Sequence, residues 1–163
     1  MVQIREGRGR AGAMRVLIIL LLPVFAAGGC VQLCPLGIGC ESTADLLVEG
    51  TPDLNAGQAA TVVLYQLSGD VSFQQMPLER FWREEAEDLG GEIVEREPEL
   101  LLFPGEARAV RVSLHEDTRF LGIAANLRDP RTDGWRSLVS VRDLKGRRTL
   151  VRVGANDLTV SVR

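Results

Sequence analysis

The sequence predicts a mainly β protein, a two-sheet β-sandwich with one amphipathic helix added at about residues 77–89. Three observations lead there. Apolar and polar residues alternate at period two through most of the chain after Ala44, turn-forming clusters recur at short spacing, and a single stretch switches to helical spacing. The composition agrees, because 163 residues with 45% hydrophobic, 25% charged and a net charge of −3 have the proportions of one globular domain.

Ala44 to Val48 and Thr61 to Leu67 are the first two expected strands, joined by a segment from Glu49 to Gln58 dense in turn formers. Further strands fit Leu100 to Phe103, Val110 to Leu114, Phe120 to Leu127, Trp135 to Val141, Thr149 to Val153 and Leu158 to Val162. The signals between them are Asp129-Pro130, Asp133-Gly134, Lys145-Gly146 and the run Gly154 to Asp157. Leu78, Phe81, Trp82, Ala86 and Leu89 recur at helical spacing, opened near Pro77 and stopped by Gly90-Gly91, with charges on the opposite side. That stripe is expected to seal an open edge or end of the sandwich. Gly122, inside an apolar strand, implies close approach of another group, with the Trp82 and Trp135 rings as candidates.

Ahead of the sandwich, assigned to residues 44–163, the chain carries an export address over residues 1–29. Arg5, Arg8, Arg10 and Arg15 precede an apolar run from Val16 to Phe25 and the small patch Ala26-Ala27-Gly28-Gly29. At ~1.5 Å per residue this apolar stretch is too short to cross a hydrocarbon layer of ~30 Å. Either Met1 or Met14 can begin it. Ala27-Gly28-Gly29-Cys30 resembles a bacterial lipobox, in which the Cys is acylated, with palmitate-type chains, and becomes the mature N-terminus. Cys30 is therefore the expected lipidation site, against the alternative of an ordinary cleaved signal followed by a chance Cys. Acyl chains contribute ~0.8 kcal/mol per buried methylene, enough together to hold a protein on a membrane. Val31 stands where an inner-membrane retention signal has Asp, which points to the outer membrane, periplasmic face.

Residues 30–43 read as a lipidated Cys followed by a tether, punctuated by Pro35, Gly37 and Gly39. Cys34 and Cys40 enclose five residues and can form a local disulfide in an oxidising compartment, with free thiols or an intermolecular bridge as alternatives. Without residues 1–29 the net charge becomes −6, a sign that disfavours nucleic acid as a partner. Charge is divided along the chain: residues 79–99 carry nine acids and three bases, residues 136–163 seven bases and two acids.

No catalytic constellation stands out. His115 is the single imidazole and falls on a polar strand face, and G-x-S-x-G, C-x-x-C, H-E-x-x-H and phosphate-loop patterns are missing. The sequence therefore implies no catalytic, cofactor-binding or metal-ligating residues, no small-molecule substrate, and a binding or structural role. A second reading is a periplasmic lipoprotein sandwich that binds a small molecule or glycan on an aromatic-lined face, for which two Trp and one Tyr are a thin supply.

Several motifs together resemble the TssJ (VasD, SciN) family of outer-membrane lipoproteins of the bacterial type VI secretion system. They are Asp53-Leu54-Asn55, Val63-Leu64-Tyr65-Gln66-Leu67, Phe73, Leu89-Gly90, Phe103-Pro104-Gly105-Glu106, Phe120 to Ala125, Arg128-Asp129 and Trp135-Arg136, behind the lipobox. The resemblance implies a transthyretin-like sandwich with a helical addition, held to outer-membrane lipids through Cys30 and docking the periplasmic C-terminal region of the inner-membrane protein TssM. It places the partner contact in the loop of residues 50–58, with Asp53, Leu54, Asn55, Ala56 and Gly57 as the partner-binding residues. Asp53 and Asn55 can instead serve their own loop, by hydrogen-bonding its backbone.

Overall fold

The computed structural model describes residues 42–84, 89 and 91–163. The export segment, Cys30 and the Cys34–Cys40 pair lie outside the described residues, as do residues 85–88 of the expected helix.

Among the described residues nine strands form two sheets. In the first, β1 (Ser42–Gly50) runs antiparallel to β5 (Ala107–Leu114) and parallel to β8 (Thr149–Val153), which pairs antiparallel with β9 (Leu158–Val162). In the second, β2 (Ala60–Leu67) pairs antiparallel with β6 (Phe120–Ala125), and β6 with β7 (Arg136–Ser140). The other side of β2 is shared by β3 (Ile93–Arg96) near its end and β4 (Leu100–Leu102) near its start. The first strand begins two residues inside the expected tether, because Ser42 and Thr43 pair with Leu114 and Ser113.

The alternation seen in the sequence places Leu46, Val48, Val112, Val151 and Val153 of the first sheet against Val62, Leu64, Leu121, Ile123 and Ala125 of the second. Leu54 and Leu102 close this core at one end. At the other end Gln66, fully buried, takes the place of an apolar residue. Its Oε1 accepts from the His115 N–H at 2.9 Å and the Thr118 hydroxyl at 2.8 Å. Its Nε2 donates to the Ser113 carbonyl at 2.9 Å and to Glu97 at 2.8 Å, so the buried amide leaves nothing unpaired.

A second core lies on the outer face of the β2–β6 sheet and corrects one expectation. The helical stripe does not seal an edge or an end; it covers a sheet face. Phe73 on α1 (Val71–Gln75) and Phe81 on α2 (Leu78–Glu84) pack with Val63, Tyr65, Leu67, Ala124 and Trp135. The cause is in β2, where Val62 and Leu64 on one face and Val63, Tyr65 and Leu67 on the other are all buried, as in a strand covered on both sides. Full burial of rings such as Phe73 and Phe81 contributes about 1.5–3 kcal/mol each. Phe81 adds edge contacts to Tyr65 at 5.7 Å and Phe73 at 5.8 Å between centroids. Gly122 is crowded by the Phe73 ring rather than by Trp82 or Trp135, the two candidates from sequence.

Three elements were not expected. β3 is masked in the sequence by its charges, α1 is short and carries one buried residue, Phe73, and α3 (Val141–Leu144) begins where the Trp135 to Val141 strand was expected to end.

Candidate functional site: the loop end of the sandwich

Four connections meet at the end of the sandwich where β1 finishes: the β1–β2 loop, the Phe103 to Glu106 turn, the β6–β7 loop and the β8–β9 turn. Gly50 N–H donates to the Glu106 carbonyl at 2.8 Å, and Gly105 N–H returns to the Gly50 carbonyl at 3.0 Å. A Cβ on Gly50 would lie 2.6 Å from the Phe103 carbonyl oxygen, so only glycine lets the two segments approach this closely.

The β1–β2 loop is wound tightly. Leu54–Gly57 is a short 3₁₀ segment in which Asn55, Ala56 and Gly57 have φ of 46°, 57° and 83°. Three consecutive left-handed residues cost energy wherever a Cβ is present, about 1–2 kcal/mol each, with Asn the most tolerant side chain. Tertiary contacts hold them. Leu54 is fully buried in the core, and Asn55 is 7% exposed. The Asn55 amide spans two loops: Oδ1 accepts the Arg128 N–H at 2.7 Å and Nδ2 donates to the Ala59 carbonyl at 2.9 Å. Its backbone N–H reaches the Gly154 carbonyl at 3.1 Å, adding a third segment.

The neighbouring loops are tied in the same way. Asn156 Nδ2 donates to the Asp129 carbonyl at 2.6 Å, and Arg131 N–H to the Asn156 carbonyl at 2.9 Å. Thr51 and Asp53, with Arg131 and Gly154 to Asp157, line a concavity of about 240 Å³. Asp53 accepts from the Thr51 hydroxyl at 2.6 Å. Glu106 staples its own turn, accepting the Phe103 N–H at 3.0 Å and Arg108 Nε at 2.6 Å. The backbone donor first, and Arg108 second, hold its carboxyl below the usual carboxylate range.

Of the five residues expected to touch a partner, Asp53, Ala56 and Gly57 are exposed, whereas Leu54 and Asn55 are buried. The two buried residues set the shape that the others present. Sequence reasoning missed Phe103, which is 50% exposed beside the loop. Its signal was present: a Phe directly before a Pro-Gly turn, at the end of a strand, has little core to enter. Tyr65 and Trp135 are 1% exposed, so two of the three Trp and Tyr rings are withdrawn from any ligand-binding face. Among the described residues no three His, Cys, Asp or Glu side chains gather as a metal set, and no helix is long and apolar enough to cross a membrane.

Residues 42–163 match the family model described as "Type VI secretion lipoprotein, VasD, EvfM, TssJ". No curated protein matches the chain in sequence. Among solved structures it is similar to the T6SS lipoprotein TssJ1 from Pseudomonas aeruginosa, with 27% identity, a TM-score of 0.68, and coverage of 76% of this chain and 98% of that one. A chain of a structure described as "Type VI membrane complex" is 25% identical, with a TM-score of 0.68 and coverage of 75% and 99%. A structure described as the T6SS protein TssM C-terminal domain from EAEC gives 23% identity, a TM-score of 0.65 and coverage of 74% and 98%, a likeness of fold.

Proposed function

The chain belongs to the family of type VI secretion lipoproteins and is a component of that system's membrane complex; we propose that within it the protein is a passive, non-catalytic mount. Acyl chains on Cys30 hold it in the outer membrane, facing the periplasm, and the chain from Cys30 to β1 is its tether. The loop end of the sandwich docks the periplasmic C-terminal region of the inner-membrane protein TssM.

The observation that carries the docking surface is the left-handed turn at Asn55 to Gly57, held by bonds to two other loops. A loop fixed in a costly conformation before binding loses little entropy when a partner arrives, which is how preorganisation raises affinity. An interface of standard size buries roughly 1,600 Å², more than one loop supplies, so Phe103 and the Asp53–Arg131 concavity belong to it as well. Force along the tether is carried by β1, which pairs on both sides.

The test is capture of the protein from membranes. Asp53→Arg and Phe103→Glu, both on the surface, should each reduce co-recovery of TssM with little change in melting temperature; undiminished recovery with the two combined would move the docking surface elsewhere. Replacing Leu54 or Asn55 is a poorer test, since either change disturbs the fold of the loop. Separately, Cys30→Ser should lose stable membrane association on fractionation, and equal retention would remove the acyl anchor from the reading.

A further inference from the structure

We propose that the opposite end of the sandwich, where the chain enters β1, is a docking surface for anionic phospholipid headgroups. The inference rests on the acyl anchor at Cys30. Strand register defines this end: Ser42 lies level with Leu114, and β8, parallel to β1, starts at Thr149 opposite Leu46. The turn from Lys145 to Arg148 therefore precedes β8 on the side toward which β1 runs back to Ser42. Twelve residue steps separate Cys30 from Ser42, a reach of at most roughly 40 Å, so an anchored chain keeps this end near the bilayer.

The β7–β8 side of this end is basic although the protein is acidic. Arg119, Arg142 and Lys145 line a cavity of about 580 Å³ with Ser68, Asp70 and Ser140, and Arg147 and Arg148 follow Lys145 in the turn that leads to β8. All five bases are exposed, and none has an ion-pair partner among the described residues. Elsewhere on the sandwich Arg108, Arg111, Arg131, Arg136 and Arg152 are each paired with a carboxylate, while Arg128 at the loop end has no such partner among the described residues. Asp70, which accepts from Gln74 at 2.7 Å, and Asp143 stand among the five bases, and the Glu92 carboxylate lies beside Gly69 of the same cavity. Glu116 and Asp117 line a neighbouring cavity on the β3 side, which Ser68 and Arg119 also border. Five exposed cations with no carboxylate partner are free to meet a surface of phosphate charge, where each Lys or Arg near the bilayer strengthens attachment about fivefold.

The acylated protein, purified from membranes, is placed on vesicles of phosphatidylcholine alone or of phosphatidylcholine with phosphatidylglycerol and treated with trypsin. Retention on both vesicle types is expected, with cleavage in the Lys145 to Arg148 turn at least about fivefold slower on the anionic ones. High salt should remove the difference, and cleavage at Arg131, at the far end, should not respond. Arg119→Glu with Arg142→Glu should abolish the protection while leaving the cleavage sites in place. Equal cleavage of the turn on both vesicle types, with the protein retained, overturns the inference and spares the anchor. Protection that persists in the double variant also overturns it. Failure to stay on neutral vesicles overturns the anchor itself, and the docking surface with it.

Discussion

The edge of the Phe73 ring occupies the space above Gly122: a Cβ at residue 122 would lie 2.9 Å from Cε2 and Cζ of Phe73 and 3.0 Å from Cδ1 of Leu67. This contact seats α1 on the second sheet, because β6 is a central strand and cannot recede. Gly122→Ala should destabilise the fold by about 1–3 kcal/mol in urea titration, the usual range for overpacking. Trimming the opposing ring in the double variant with Phe73→Leu should give a loss smaller than the sum of the singles. Strict additivity would mean the two do not touch in solution.

Arg136 is the second pin of the helical layer. Its guanidinium donates to the Phe73 carbonyl at 2.8 Å and the Met76 carbonyl at 2.6 Å, reaches Asp133 at 2.7 Å, and lies over the Trp135 ring at 4.7 Å. The side chain is 11% exposed, so these bonds are largely shielded from water. Arg136→Met should cost about 1.5–3 kcal/mol, and Arg136→Lys should recover little, since an ammonium cannot reproduce the planar fork. Thermal denaturation of the three proteins compares them directly.

Gln66→Leu should cost at least about 2 kcal/mol despite the gain in hydrophobicity, because it orphans the His115 N–H and the Ser113 carbonyl. Amide exchange at His115 should accelerate more than exchange in β8, which locates the damage at the β5–β6 turn.

The turn at Asn55 separates a clamp from a strain. Asn55→Ala should destabilise by about 1–3 kcal/mol, as the part-buried Arg128 N–H loses its acceptor and the Ala59 carbonyl its donor. Ala56→Gly should stabilise by up to about 1 kcal/mol, the left-handed φ of 57° costing alanine more than glycine loses in chain entropy. Opposite signs in chemical denaturation are the expected outcome; two losses would show that strain at Ala56 is not significant.

Glu106 confers a pH dependence of definite sign. Its carboxyl, held by the Phe103 N–H and by Arg108, titrates below the ordinary carboxylate range in the folded protein, so the stabilisation is present above that range and fades as pH falls through the folded value. Glu106→Gln should lower the melting temperature at neutral pH, with the gap to wild type closing on acidification. A gap that stays constant from neutral to acid pH would show that charge contributes nothing there.

Much of this protein is written in local pattern. Alternation in β5 and β9 and the apolar run of β2 select strands, because side-chain direction along a strand follows sequence parity alone. The helical stripe at Leu78 and Phe81 and the Pro-Gly turn at residue 104 were equally legible, and the motifs carrying the family resemblance needed no coordinates. Tertiary structure decided what those elements touch. Phe73, rather than either Trp, fills the space over Gly122; Leu54 and Asn55 turn inward and leave Asp53, Ala56 and Gly57 outside; and Arg119 meets Arg142 and Lys145 around one cavity. Such facts depend on pairings such as Asn55 with Arg128, 73 residues apart, which chain geometry establishes only when both sheets are assembled.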